Sequence, residues 1–224
     1  MRFDEVELCV PDLEAARAFY AGVLQLPELP AEGGLAFQVG RTQLRFNAAP
    51  AAEQPRYHIA FSVPLAQFDA ARSLVAARTP LITADGDEVI VHASWDAVAF
   101  YFRDPAGSIL ECIARRGEPP DDPQAPQAPG IGSVCEVGIV VDEVSAMVAT
   151  LRTTLAITPF GGSEGATFTA LGDEEGLLIV VQRGRAWYPS TGLAAAPAPL
   201  ALALTLDNRS RQRIVGPPYR CTSA

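Results

Sequence analysis

The sequence predicts an α+β fold of βαβββ units, paired so that their strands curl into a cup with the helices outside. Three observations lead there. Residues 57–63 alternate strictly, with Ile59, Phe61 and Val63 on one face and His58, Ala60 and Ser62 on the other, the period of a half-buried strand. A helical pattern follows at once over 68–76. The same strand-then-helix order occurs at 5–10 with 12–24, and at 136–141 with 144–155, an internal repeat of about 50–55 residues.

Each element has a local reason. In 5–10, Val6, Leu8 and Val10 oppose Glu5, Glu7 and Cys9. Pro11 ends the strand, Asp12 suits an N-cap and Glu14 a helix start. Leu13, Ala16, Phe19, Tyr20 and Leu24 recur at helical spacing. Residues 26–31 form a proline-broken edge strand. Residues 35–39 and 43–47 read as a hairpin around Gly40-Arg41, with Leu44 and Phe46 opposite Gln43, Arg45 and Asn47. In the second unit, 81–92 read as a strand interrupted at Gly86. Residues 97–102 and 108–114 are joined by Arg103-Asp104-Pro105-Ala106-Gly107, where proline fixes one φ and glycine supplies a positive one.

Residues 116–132 are rich in proline and read as a spacer. The plan divides the chain into a complete two-unit domain, 1–115, and a degenerate one, 133–224. In the latter, 168–171 and 177–182 make a hairpin, 200–206 begins a fourth unit, and a basic tail follows. A lone third unit leaves an open sheet edge, so a homodimer is one expected arrangement.

Bulk properties exclude several functions. The 224 residues are 49% hydrophobic and 19% charged, enough to build a core. A formal charge of −9 argues against a nucleic-acid partner, which needs clustered Lys and Arg. The four cysteines form no C-x-x-C pair, pointing to a reduced compartment. No apolar run reaches the ~20 residues of a membrane span, and no signal peptide is visible. The expectation is a cytoplasmic protein that meets neither membrane nor nucleic acid.

Alternation also sorts the faces. The helix side takes Val6, Leu8, Leu44, Phe46, Ile59, Phe61, Leu110 and Cys112. The cup side takes Glu5, Glu7, Gln43, Arg45, Asn47, His58, Ser62 and Glu111. Polar groups on a half-buried concave face are costly unless paired or liganded, so they are the functional signal.

Three stretches carry a family resemblance: Val10-Pro11-Asp12-Leu13-Glu14 with Phe19-Tyr20-Ala21-Gly22-Val23-Leu24, then His58-Ile59-Ala60-Phe61-Ser62-Val63, then Phe102-Arg103-Asp104-Pro105-Ala106-Gly107-Ser108-Ile109-Leu110-Glu111. With these the chain resembles the vicinal oxygen chelate superfamily of glyoxalases, extradiol dioxygenases and bleomycin- or fosfomycin-resistance proteins. The resemblance implies metal ligands on the first and last strand of each unit, here Glu5, Arg45, His58 and Glu111. Glyoxalase-like members keep a carboxylate at the Arg45 place. Dioxygenase-like members use the other three positions, usually as two histidines and one carboxylate.

The expected metal set is therefore Glu5, His58 and Glu111, donors that suit Zn²⁺, Mn²⁺, Fe²⁺ or Ni²⁺. The competing reading puts Arg45 between two carboxylates as a metal-free ion-pair network. Arg45, Glu7, Ser62 and Asn47 are candidate ligand contacts, with cup lining as the plain alternative. Glu111 and Tyr101 are candidate catalytic groups, Tyr101 as a donor or weak acid. Trp95 is a candidate rim residue. In the third unit, Glu136 takes the place of Glu5 and Val180 that of Arg45; no chemistry attaches to Trp187, Tyr188 and Pro189. Two functions remain open: a divalent-metal-dependent lyase, isomerase or dioxygenase acting on a small oxygen-rich substrate, or a metal-free protein that sequesters a drug-like or hydrophobic ligand.

Overall fold

The computed structural model describes residues 1–50, 52–116, 130–189, 191–207 and 209–223. Most of the expected spacer, residues 117–129, lies outside them. The first unit contains β1 (Arg2–Val10), α1 (Leu13–Arg17, continued by a π-helical stretch Ala18–Val23), β2 (Glu28–Leu29), β3 (Leu35–Val39) and β4 (Thr42–Ala48). Asp12 caps α1 by accepting the Ala15 N–H at 2.9 Å. The second unit contains β5 (His58–Ser62), α2 (Phe68–Ala76), β6 (Leu81–Ile82), β7 (Ile90–His92), β8 (Ala97–Arg103) and β9 (Ile109–Arg115). The third has β10 (Val134–Val141), α3 (Val144–Leu155), β11 (Phe168–Asp173) and β12 (Gly176–Gln182). The remnant of a fourth has β13 (Leu200–Thr205), β14 (Arg211–Gly216) and β15 (Arg220–Ser223). The expected basic tail is thus a strand hairpin added to β13.

Two open, curved sheets result. One runs β15-β14-β13-β1-β4-β3-β2, the other β11-β12-β10-β5-β9-β8-β6, with β7 paired to β8. This corrects the expected domain plan. The first and second units do not share a cup: β1 pairs antiparallel with β13, and β5 with β10. The first unit therefore joins the fourth, and the second joins the third. The physical reason is edge closure. The third unit finds its partner strand within the chain, which removes the open edge that suggested a second copy.

One apolar cluster links both sheets, uniting Phe3, Leu8, Leu44 and Phe46 with Ile59, Phe61, Leu110 and Val137. Leu8, Leu44, Phe46, Ile59, Phe61 and Leu110 are helix-side residues that alternation assigns. A smaller cluster, including Ala60, Tyr101, Ile109, Ile113, Ile179 and Trp187, lines the concave face of the second sheet.

Candidate functional site

Registers fix which residues meet. On the second sheet, Ala60 of β5 lies beside Glu111 of β9, and Gly138 of β10 beside Ile179 of β12. On the first, Glu7 of β1 lies beside Arg45 of β4. Arg45, Glu111 and Ile179 are therefore equivalent, and so are Glu5, His58 and Glu136. This moves the third unit's equivalent of Arg45 from Val180 to Ile179.

Pairing of the second and third units brings His58, Glu111 and Glu136 together, with one donor atom from each within 4.8 Å of the others. All three are buried. His58 Nε2 is 3.5 Å from Glu111 Oε2 and 3.8 Å from Glu136 Oε2. A register shift between Val134 and Glu136 precedes the glutamate, as bulges beside functional residues often do.

The other oxygen of each carboxylate is held from outside. Tyr101 donates its hydroxyl to Glu111 Oε1 at 2.7 Å, and His92 Nε2 lies 2.9 Å from the same hydroxyl. Arg115 Nη2 donates to Glu136 Oε1 in a buried ion pair. Both Oε2 atoms therefore face the imidazole, while both Oε1 atoms are occupied. Metal–ligand bonds of about 2.0–2.2 Å set ligand atoms roughly 3–3.5 Å apart, close to the separations here. One imidazole and two carboxylates, each oriented by an outer partner, fit a divalent cation by chemistry and spacing.

The electrostatics are polarised. Burial, then the Glu136 charge, pushes the Glu111 carboxyl up to about 8. Burial also acts on Glu136, but the Arg115 charge and His58 outweigh it and hold that carboxyl below its ordinary value. Burial opposes charge on His58, yet Glu136 and Glu111 raise its pKa. Burial lowers that of His92.

A cavity of about 590 Å³ opens over these groups. Trp187 lies on the His58 ring, their centroids 5.2 Å apart. Gly138 makes room for it, since a Cβ there would come within 2.7 Å of Trp187 Cη2. Gly161, at φ +56°, lets its turn close on Trp95, where a Cβ would meet the indole at 2.6 Å.

Several expected site residues lie elsewhere. Glu5 is on the other sheet, its Oε2 4.0 Å from Arg45 Nε, so neither Glu5 as ligand nor Arg45 as competitor reaches His58. Glu7 and Asn47 share that sheet and bond to each other at 2.8 Å. Ser62 is buried on β5 outside the cavity lining. For Glu5, Arg45, Glu7 and Asn47 the cause is the pairing of units; Ser62 shares a strand with His58 but is bonded through its backbone to Gly132 and Ser133. His58, Glu111, Tyr101 and Trp95 do line the cavity. Sequence reasoning missed Arg115, Glu136 as a partner of His58, and Trp187. Arg115 carried a signal, since it shares the alternating face of Glu111 on β9.

A family model described as Glyoxalase/Bleomycin resistance protein/Dioxygenase superfamily matches residues 2–112. Among solved structures, a "putative dioxygenase" from Bacillus subtilis subsp. subtilis str. 168 superposes with a TM-score of 0.63 at 13% identity, over 96% of this chain and 81% of that one. A "putative glyoxalase family protein" from Bacillus anthracis is 27% identical over 52% of this chain and 96% of that one, with a TM-score of 0.41. Lactoylglutathione lyase from Agrobacterium tumefaciens is 23% identical over 49% of this chain and 90% of that one, with a TM-score of 0.41. No curated protein matches the chain.

Proposed function

The chain belongs to the glyoxalase/bleomycin resistance protein/dioxygenase superfamily, and on that premise we propose that it is a divalent-metal-dependent enzyme, a lyase, isomerase or dioxygenase acting on a small oxygen-rich substrate. His58, Glu111 and Glu136 would hold the ion, which when bound supplies a Lewis acid for adjacent substrate oxygens. The observation that carries the reading is the convergence of Nε2 and two Oε2 atoms while both Oε1 atoms are tied to Tyr101 and Arg115.

The chain's own groups divide the remaining work. Arg115 keeps Glu136 ionised, and Trp187 fixes the plane of His58. With Glu111 ionised, the chain of donors runs from His92 to Tyr101 to Glu111, because Tyr101 has one proton to give. Protonation of Glu111 reverses both bonds. A proton held at Glu111 thus has a path through the Tyr101 hydroxyl to His92 on the cavity wall.

A second reading, a metal-free binder, rests on the same residues: Arg115 already neutralises Glu136, and a carboxyl with a pKa of about 8 is largely protonated at neutral pH. Metal content separates the two. Protein loaded with Mn²⁺, Fe²⁺ or Zn²⁺ and desalted is expected to retain one ion per chain by elemental analysis. Glu111→Ala and Glu136→Gln are expected to retain almost none, with Glu5→Gln unaffected. Retention below one tenth of an ion by the wild-type chain under all three ions would sink the enzyme reading and favour the binder.

A further inference from the structure

The cavity wall is far more aromatic than the chain. Both tryptophans of the sequence, Trp95 and Trp187, lie on it, with Phe168 and Tyr188. Flat rings on several sides suit a planar ligand, which stacks well at low conformational cost.

The same wall holds one cation away from the His58 cluster. Arg185, in the segment after β12, is half-buried with its guanidinium over the Phe168 ring, 5.0 Å from the centroid. Its Nη1 donates to the Ala186 carbonyl at 3.3 Å. Among the described residues it forms no ion pair. Arg115, by contrast, is committed to Glu136. A fork of donors held by an aromatic face, facing a cavity and lacking a carboxylate, matches an incoming carboxylate.

We infer that the cavity takes a planar aromatic anion, its ring among Trp95, Phe168 and Tyr188 and its carboxylate on Arg185. The inference rests on the reading of this cavity as a substrate site. Arg185 is its specificity-determining residue, distinct from the groups that hold the ion.

The probes are 3,4-dihydroxybenzoate and its neutral amide, which share a ring and an oxygen pair and differ in charge at the opposite end. Both tryptophans line the cavity, so quenching of intrinsic fluorescence reads this site directly. The acid is expected to bind roughly 10-fold tighter than the amide, the scale of a charge-assisted bidentate pair. Arg185→Gln should bring the ratio close to one, and Arg185→Lys should restore part of it. Equal binding of both probes to the wild-type chain would overturn the inference. So would an undiminished preference in Arg185→Gln, or no quenching by either probe at millimolar concentration. Repeating the titrations with EDTA separates this idea from the metal reading. A preference that persists in a chain retaining no metal leaves Arg185 standing and the metal reading fallen. One bound ion with no preference does the reverse.

Discussion

The two sheets present the same register positions to solvent in opposite ways. On the second, His58, Glu111 and Glu136 are buried under Trp187 and tied to Tyr101 and Arg115. On the first, Glu5 and Arg45 keep side-chain exposures of 28% and 34% and sit 4.0 Å apart, a separation that water screens. Equivalent backbone thus yields a high-stakes polar cluster on one side and loose surface pairs on the other. The segment 183–199 makes the difference. It places Trp187 over one concave face, whereas β13 on the other sheet leads directly into β14.

Four substitutions probe that contrast. The largest stability effect is expected at Arg115. Arg115→Met strands the buried carboxylate of Glu136 and should cost about 3–5 kcal/mol by urea denaturation in EDTA.

The second test is pH. Glu111 has a folded pKa raised to about 8, above the ordinary 4.5 of the unfolded chain. The folded state therefore holds a proton that the unfolded state has lost, and stability falls as pH rises from about 4.5 to about 8. The raised His58 acts in the same direction. In EDTA, Glu111→Gln should flatten this slope, and urea midpoints at pH 5 and pH 8 measure it. An unchanged slope would place the titration elsewhere.

Gly138→Val forces Trp187 off the His58 ring and should cost about 1–3 kcal/mol as an overpacking change, with a red shift in tryptophan emission. Arg45→Ala should stay within about 0.5 kcal/mol, as an exposed pair does. A loss at Arg45 comparable to that at Arg115 would erase the distinction between the two faces.

Much of the local structure was legible. Alternation assigned Ile59 and Phe61 to the core and His58 to the opposite face. Asp12 marked its helix start, and the repeat gave the units. It also showed that Glu5, His58 and Glu136 are equivalent. The partner of His58 was not legible. Three first strands share one pattern, and side-chain period says which way a residue points but nothing about which strand lies alongside.

The sequence by itself determined the units, their faces and the polar character of the concave side, because those follow from periods of 2 and 3.6 along a continuous chain. Only the tertiary structure decided that the second unit joins the third. That choice rests on contacts between residues distant in sequence: Arg115 with Glu136, Trp187 on His58 across Gly138, and β13 closing the edge of β1. Edge closure and buried charge pairing act through space, and they put Glu136, where the sequence reading expected Glu5, beside His58 and Glu111.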